Sequence, residues 1–161
     1  MKFLTFVFAL ITILSLGSCG SSSSDPAPTP VTPTPTVSDL IKKTWSANTV
    51  SWDGVNQYTK GGSSNLVAGY SSYKLALSTG SSVTLTEFDG KKFTGIYVLS
   101  SDNKKLTLSS LTSAEGAPSG TNGTLEFTIS GTPTASSLAI ETTTTYIKAT
   151  NKKVALNLVN P

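Results

Sequence analysis

Residues 83–108, VTLTEFDGKKFTGIYVLSSDNKKLTL, contain three strand-like segments joined by two short turns. Apolar and polar side chains alternate over residues 83–86, and Asp89-Gly90 is a dipeptide typical of tight hairpin turns. Residues 93–99 are apolar on both faces, so we expect a central strand that is buried on both sides. A second turn leads into the third strand, residues 106–108. The stretch therefore predicts an antiparallel meander.

The same pattern of alternation continues on both sides of this stretch. Further predicted strands are residues 44–52, 55–59, 73–77, 125–129, 138–149 and 154–158. We expect a long loop over residues 109–123 and one helical turn at 38–43, capped by Ser38 or Asp39. The sequence thus predicts an all-β domain, an antiparallel meander of about eight strands closing into a small up-and-down barrel. A two-sheet sandwich is the alternative.

The first residues of the chain form a leader for export. Lys2 precedes an apolar run at residues 3–14, which is shorter than the roughly 20 residues of a membrane span. The leader ends in Leu16-Gly17-Ser18-Cys19, which resembles the lipobox of bacterial lipoproteins. That resemblance implies a signal peptide over residues 1–18 and a mature N-terminus at Cys19 carrying acyl chains such as palmitate. Two or more chains hold a protein stably on a bilayer.

The residues after Cys19 indicate a membrane location and a spacer. Gly20 is not the aspartate that retains enteric lipoproteins in the inner membrane, so the resemblance implies the cell outer membrane. Whether the domain faces the periplasm or the cell surface stays open. Residues 19–37 are rich in Ser, Pro and Thr, and alternating prolines favour an extended chain. We therefore expect a signal peptide (1–18), a lipid-anchored disordered linker (19–37) and a barrel domain (38–161).

The composition argues against most catalytic and nucleic-acid chemistry. The sequence has no histidine and no arginine, its one cysteine is Cys19, and its net charge is only +3. Without an imidazole, the usual activating base and metal ligand are missing, and one cysteine permits no disulfide within the chain. A small basic surplus without arginine gives no nucleic-acid footprint. We expect no cofactor, no metal site and no nucleic-acid partner.

Glu87 and Asp89 are the one pair of carboxylates that lie close together in the sequence. A carboxylate pair can catalyse glycoside hydrolysis, with one acid and one nucleophile or base. Asp89, however, is already explained by its turn with Gly90. We therefore predict that the protein is not an enzyme and has no catalytic residues.

Two segments resemble lipocalins. Lys43-Thr44-Trp45, after a one-turn helix, is similar to the lipocalin opening, in which a tryptophan on the first strand plugs the closed end of the barrel. Residues 83–108 look like the lipocalin-like domain of bacterial outer-membrane lipoproteins. The chain departs from lipocalins at Lys43, where they carry glycine, and it has no arginine to stack on Trp45. The resemblance implies a barrel that binds a small apolar or amphipathic ligand.

Tyr97 is the predicted ligand-binding residue of this barrel. It lies in the strand expected to be buried on both faces, so its hydroxyl must find a partner. Other aromatic residues that could line a barrel mouth, although core packing explains each more simply, are Tyr70, Tyr73, Tyr146, Phe93, Phe127, Trp45 and Trp52. The alternative is an accessory envelope lipoprotein whose filled barrel docks a partner protein or a glycan. The expected partners are thus the membrane, a small hydrophobic ligand and an envelope protein.

Overall fold

The computed structural model describes residues 33–161. The predicted signal peptide, Cys19 and residues 19–32 of the predicted linker lie outside the described residues. Within residues 33–161 the chain forms α1 (Val37–Ile41), β1 (Thr44–Trp52), β2 (Val55–Thr59), β3 (Lys74–Leu77), β4 (Ser82–Thr86), β5 (Lys92–Leu99), β6 (Lys105–Thr112), β7 (Leu125–Ile129), β8 (Ser137–Thr142) and β9 (Val154–Val159). Three short 3-10 turns are Ala68–Ser72, Thr79–Ser81 and Ile147–Ala149. None of the helices in this range is long and apolar enough to cross a membrane.

The strands form one antiparallel sheet that closes on itself. From β3 to β9 each strand pairs with the next, and β9 pairs back onto β1. β2 and β3 lie end to end along the other side of β1, where β2 pairs with residues 49–52 and β3 with residues 44–46. The ring therefore has eight strand positions. This confirms the predicted all-β barrel over the two-sheet sandwich, and closure removes the exposed edges that an open meander would present.

α1 and Trp45 block one end of the barrel, which we call the closed end. Trp45 is fully buried, and its Nε1 donates a hydrogen bond to the Ile41 carbonyl at 2.9 Å. The Lys43 Nζ lies 5.6 Å from the centre of the Trp45 ring, within the range of a cation–π contact. A lysine thus stacks on this tryptophan in a sequence that has no arginine.

The N-cap residue of α1 lies earlier in the sequence than predicted. Thr36, and not Ser38 or Asp39, is the N-cap residue: its hydroxyl accepts from the Asp39 amide at 3.2 Å. The Asp39 carboxylate in turn accepts from the Thr36 amide at 3.3 Å, which completes a capping box. The predicted cap is wrong because Thr36 follows the alternating prolines and was included in the predicted linker.

β5 is buried on one face, so the prediction of a strand buried on both faces is wrong. Phe93 and Tyr97 point into the barrel, whereas Ile96 and Val98 are 49% and 59% exposed. Each strand of a closed barrel has one face toward the interior and one toward solvent. Isoleucine and valine favour strands wherever they point, so an apolar run does not prove two buried faces.

Two other predicted boundaries differ from the structure. β6 continues to Thr112, so the predicted loop over residues 109–123 begins later. β8 ends at Thr142, and the predicted long strand 138–149 is therefore wrong in its second half. Threonine favours strands, but after Thr142 the chain leaves the sheet and crosses the end of the barrel, where Tyr146 bonds to Glu87.

Candidate functional site

The candidate site lies at the end opposite Trp45, which we call the mouth. β1 runs from the closed end to the mouth, so the β1–β2 turn at residues 53–54 lies there. The antiparallel order brings to the same end the β4–β5 turn at residues 87–91 and the segment 143–153 between β8 and β9. The chain enters the domain through α1, at the other end of the barrel.

Five aromatic side chains form what we call the aromatic wall of the mouth: Trp52, Tyr58, Tyr70, Tyr73 and Phe88. The Tyr70 ring is central to it, with its centre 4.9 Å from that of Phe88 and 6.1 Å from that of Tyr73. The Trp52 Nε1 donates to the Tyr70 hydroxyl at 2.9 Å. Gly69 permits this approach, because a Cβ at that position would lie 2.2 Å from the Phe88 carbonyl oxygen.

A buried carboxylate lies beside the aromatic wall. Glu87 directly follows β4, is only 2% exposed, and accepts hydrogen bonds from the Tyr146 hydroxyl and the Lys148 ammonium. The same ammonium donates to the Asp89 Oδ2 at 2.8 Å. We call Glu87, Asp89, Tyr146 and Lys148 the Glu87 cluster. Two carboxylates share one ammonium, so the ionised cluster has a net charge of −1.

Local turns position both sides of the Glu87 cluster. Asp89 Oδ1 accepts from the Lys91 amide at 3.0 Å, and Gly90 has a φ of 83°, which a glycine adopts without strain. The 3-10 turn between β8 and β9 presents Lys148 from across the mouth. Glu87 and Lys148 are 61 residues apart in the sequence. Only closure of the barrel brings them together, and no local pattern marks Lys148 as a site residue.

Burial and mutual contacts shift the ionisation of the cluster. Burial opposes the charge on Lys148, but the bonds and charges of Asp89 and Glu87 outweigh it and raise the lysine pKa above 10.5. Burial also opposes the charge on Asp89, yet hydrogen bonds from Lys148 and the Lys91 amide lower its pKa below 3.8. Burial, followed by the bond to Glu87, raises the pKa of Tyr146. At neutral pH, Lys148 and Asp89 are therefore charged and Tyr146 is a neutral donor.

A small cavity lies beneath the Glu87 cluster. The cavity has a volume of about 30 Å³. At roughly 10–15 Å³ for each water, there is room for about two water molecules. The lining consists of Tyr70, Tyr73 and Phe88 of the aromatic wall, apolar side chains of β4, β7 and β9, and the polar residues Glu87, Thr142 and Tyr146. The space is therefore aromatic and apolar with one carboxylate.

Leu125, Thr142 and Tyr146 separate this cavity from an outer cleft. The cleft has a volume of about 150 Å³ and is lined mainly by polar residues, several of them threonines. All three separating residues line both spaces. Displacement of the Tyr146 side chain would therefore join the two spaces.

Tyr97, the predicted ligand-binding residue, lies toward the closed end and does not line the cavity. Its side chain is buried and its hydroxyl donates to the Ser78 carbonyl at 3.1 Å, so the expected partner of this hydroxyl is present. On its outer side it borders an open groove together with Lys42 and Ser81. Its role in ligand binding stays a prediction. Of the other aromatic residues considered for a barrel mouth, Tyr70, Tyr73, Phe127 and Tyr146 do line the cavity.

The domain is thus a small closed antiparallel barrel with one buried carboxylate at its mouth. A similar solved structure is the crystal structure of a lipocalin-like protein from Bacteroides uniformis. The two chains are 16% identical with a TM-score of 0.48, and the similarity covers 76% of this chain and 99% of that one. No protein-family model and no curated protein matches the sequence.

Proposed function

We propose that the protein is a membrane-anchored lipoprotein whose lipocalin-like barrel binds a small apolar or amphipathic molecule at the mouth without transforming it. The observation that carries the proposal is the aromatic cavity with its single buried carboxylate, Glu87. A concave, mainly apolar space with few placed polar groups is the usual form of a small-molecule site. The cavity holds only about two waters as it stands. A larger ligand needs more space, which movement of Tyr146, a wall that the cavity shares with the outer cleft, would provide.

The segment 143–153 is suited to such movement. Ala149 is its buried apolar anchor, whereas Ile147 is 55% exposed. Segments with few buried apolar contacts open at a low free-energy cost compared with the barrel strands. The pairing of β8 with β9 ends at Glu141 and Ala155, so the segment can open without breaking that ladder. Opening would join the cavity to the outer cleft and enlarge the space for a ligand.

The chemistry of the mouth supports binding over catalysis. Glu87 is held by two donors, and the carboxylate of Asp89 is held by Lys148 and by its own turn. A general acid or nucleophile must reach a substrate atom. Both oxygens of Glu87 are already engaged, and the sequence has no histidine to replace it as a base.

Native mass spectrometry of the protein extracted from its host's envelope tests ligand binding. We expect a non-covalent small-molecule adduct on the wild type and its loss in Leu125→Trp, which would fill the passage between cleft and cavity. Val98→Trp is the matched control, because it adds the same bulk to the outer wall, where Val98 is exposed. A wild-type protein without any adduct would contradict the proposal.

The lipid anchor at Cys19 and the outer-membrane address are part of the proposal. Their support is the lipobox-like run at residues 16–19 and the residue that follows it, Gly20. Metabolic labelling with an alkynyl fatty acid should label the wild type and Ser18→Ala, which keeps a small residue before the cysteine, but not Cys19→Ala. Label that survives in Cys19→Ala would refute lipidation at this residue. Separation of inner and outer membranes on a density gradient then tests whether the protein is located in the outer membrane.

The second candidate function is docking of an envelope partner by a filled barrel. Two observations favour it: the small free volume of the interior, and the outward-facing Ile96 and Val98 on β5. In-cell cross-linking to one defined partner should then be abolished by Val98→Lys and retained in Thr128→Lys, which places the same charge on an exposed position of β7. Equal cross-linking in both variants would count against docking through β5.

A further inference from the structure

Resting on the proposed function, we propose that the mouth recognises a small amphipathic primary amine, whose ammonium pairs with Glu87 in the place that the Lys148 ammonium occupies in this structure. In the protein without ligand, the Lys148 ammonium then fills this position, and the ligand displaces it. Three observations lead to this inference: the partners of Glu87, the second partner of Lys148, and the aromatic surroundings.

The Glu87 carboxylate requires a cationic partner. It is 2% exposed, and its Oε1 accepts from Tyr146 while its Oε2 accepts from Lys148. A buried ionised carboxylate without a partner is strongly unfavourable. A neutral ligand that displaced Lys148 could at most donate a hydrogen bond and would leave the charge of Glu87 without a cation beside it, and a fatty acid would bring a second negative charge beside the first. An ammonium is the group that restores the pairing.

The Lys148 ammonium has a second carboxylate partner, which it can keep when a ligand displaces it from Glu87. Its ammonium already donates to Asp89 Oδ2 at 2.8 Å, and the Asp89 side chain is 33% exposed, toward the rim. After exchange, Lys148 can keep Asp89 while the ligand ammonium takes Glu87. The next ion pair along the rim, Lys91 with Glu115, is neutral overall. A ligand cation therefore brings the net charge of the Glu87 cluster from −1 to zero and leaves every charge paired.

The surroundings suit an ammonium followed by an apolar tail. Tyr70, Tyr73 and Phe88 line the cavity, and aromatic faces attract cations. The Lys148 Nζ lies 5.7 Å from the centre of the Phe93 ring, so this part of the barrel already holds an ammonium against an aromatic ring. Beyond the carboxylate, Leu125 and Leu156 offer an apolar surface to the remainder of the ligand.

Calorimetry with octylamine, octanol and octanoate tests the inference, because the three compounds share a tail and differ in the charge of the head. The lipidated protein is studied in lipid nanodiscs, and empty nanodiscs correct for partitioning into the bilayer. We expect octylamine to bind at least tenfold more tightly than octanol and octanoate to bind most weakly. Glu87→Gln should remove the preference for the amine, so that octylamine and octanol bind this variant equally well.

Lys148→Met provides an independent measurement. Removal of the Lys148 ammonium should increase the affinity for octylamine. Octylamine should also raise the Tm of this variant by more than it raises the Tm of the wild type. Lys152→Met is the matched control: Lys152 lies in the same segment and pairs with Asp53 at an exposed position. It should behave as the wild type does.

The outcomes separate the inference from the proposed function. If octylamine and octanol bind equally well to the wild type, the amine inference is overturned and small-molecule binding stands. If none of the three compounds binds, the proposed function fails and the inference fails with it. Should Lys148→Met not fold, the comparison of wild type with Glu87→Gln decides the question by itself.

Discussion

The two ends of the barrel are filled in different ways. At the closed end, the fully buried Trp45 fills the interior, and its one polar atom is satisfied by the Ile41 carbonyl. At the mouth, an equally buried position is occupied by the carboxylate of Glu87, which depends on Tyr146 and Lys148 from a distant segment. One end is thus closed by apolar packing and the other by polar contacts.

This difference explains why the mouth, and not the closed end, is the end suited to exchange. Removal of a buried tryptophan leaves a cavity that solvent cannot fill favourably. A hydrogen-bonded ion pair, by contrast, can be replaced by another donor of the same charge, because the carboxylate requires a partner but not a particular one. The closed end therefore contributes stability, whereas the mouth combines stability with the capacity to bind.

Trp45→Ala should produce the largest loss of stability. Truncation of a buried tryptophan costs about 4–5 kcal/mol, whereas Trp52→Ala, at a half-buried position of the aromatic wall, should cost only about 2–3 kcal/mol. Urea unfolding followed by circular dichroism measures both free energies of unfolding. If Trp52→Ala proved the more costly change, the mouth and not the closed end would hold the main packing contact.

Lys148→Met should be the most costly single change within the Glu87 cluster. It leaves Glu87 buried with Tyr146 as its one remaining donor, and loss of a hydrogen bond to a charged group costs about 2–3 kcal/mol. The double variant Glu87→Gln with Lys148→Met should lose less than the sum of the two single changes, since no buried charge is then left unpaired.

A double-mutant cycle in urea unfolding measures this coupling. The matched cycle uses Lys105 and Glu126, an ion pair with half-exposed side chains and an N–O distance of 3.5 Å. Exposed pairs of this kind contribute about 0–1 kcal/mol. Equal coupling energies in the two cycles would show that burial does not distinguish the Glu87 cluster from an ordinary surface pair.

Local sequence patterns located the strands, but they did not fix every strand end or the contacts between strands. The segment 125–129 alternates cleanly, and β7 has those bounds in the structure. Residues 93–99 do not alternate, so the sequence could not show that Ile96 faces solvent. The candidate site depends on Glu87 and Lys148, which are 61 residues apart. Their meeting follows from barrel closure, a property of the whole sheet that no local window contains.

The mouth should also set the alkaline limit of stability. Burial raises the pKa of Tyr70 to about 12 and raises those of Tyr73 and Tyr146 as well. The folded state therefore holds these protons more tightly than the unfolded state, whose tyrosines titrate near 10.0. Stability is complete below pH 10 and falls as the pH rises through the folded values. Each such tyrosine contributes a slope of up to about 1.4 kcal/mol per pH unit.

Urea midpoints measured between about pH 9 and pH 11.5, with tyrosinate absorbance as a second signal, test this slope. Lys148 acts in the same direction. Its pKa is raised in the folded state, so the stability that its charge contributes is lost as the pH rises above 10.5. Tyr73→Phe removes one of the three tyrosine titrations and should make the slope shallower. A free energy of unfolding that stays constant up to pH 11.5 would show that the mouth is open to solvent in the folded protein.

The smallest expected effect belongs to the closed end, where α1 covers Trp45. Thr36→Ala removes the N-cap hydroxyl and should cost about 0.5–1 kcal/mol, the usual contribution of such a cap. Ser38→Ala is the matched control, because Ser38 lies inside the helix and makes no capping bond in the structure of residues 33–161. Urea unfolding of both variants at one pH measures the difference. If Ser38→Ala lost as much stability as Thr36→Ala, the helix would begin at the later residue, and the closed end would be covered by a shorter turn.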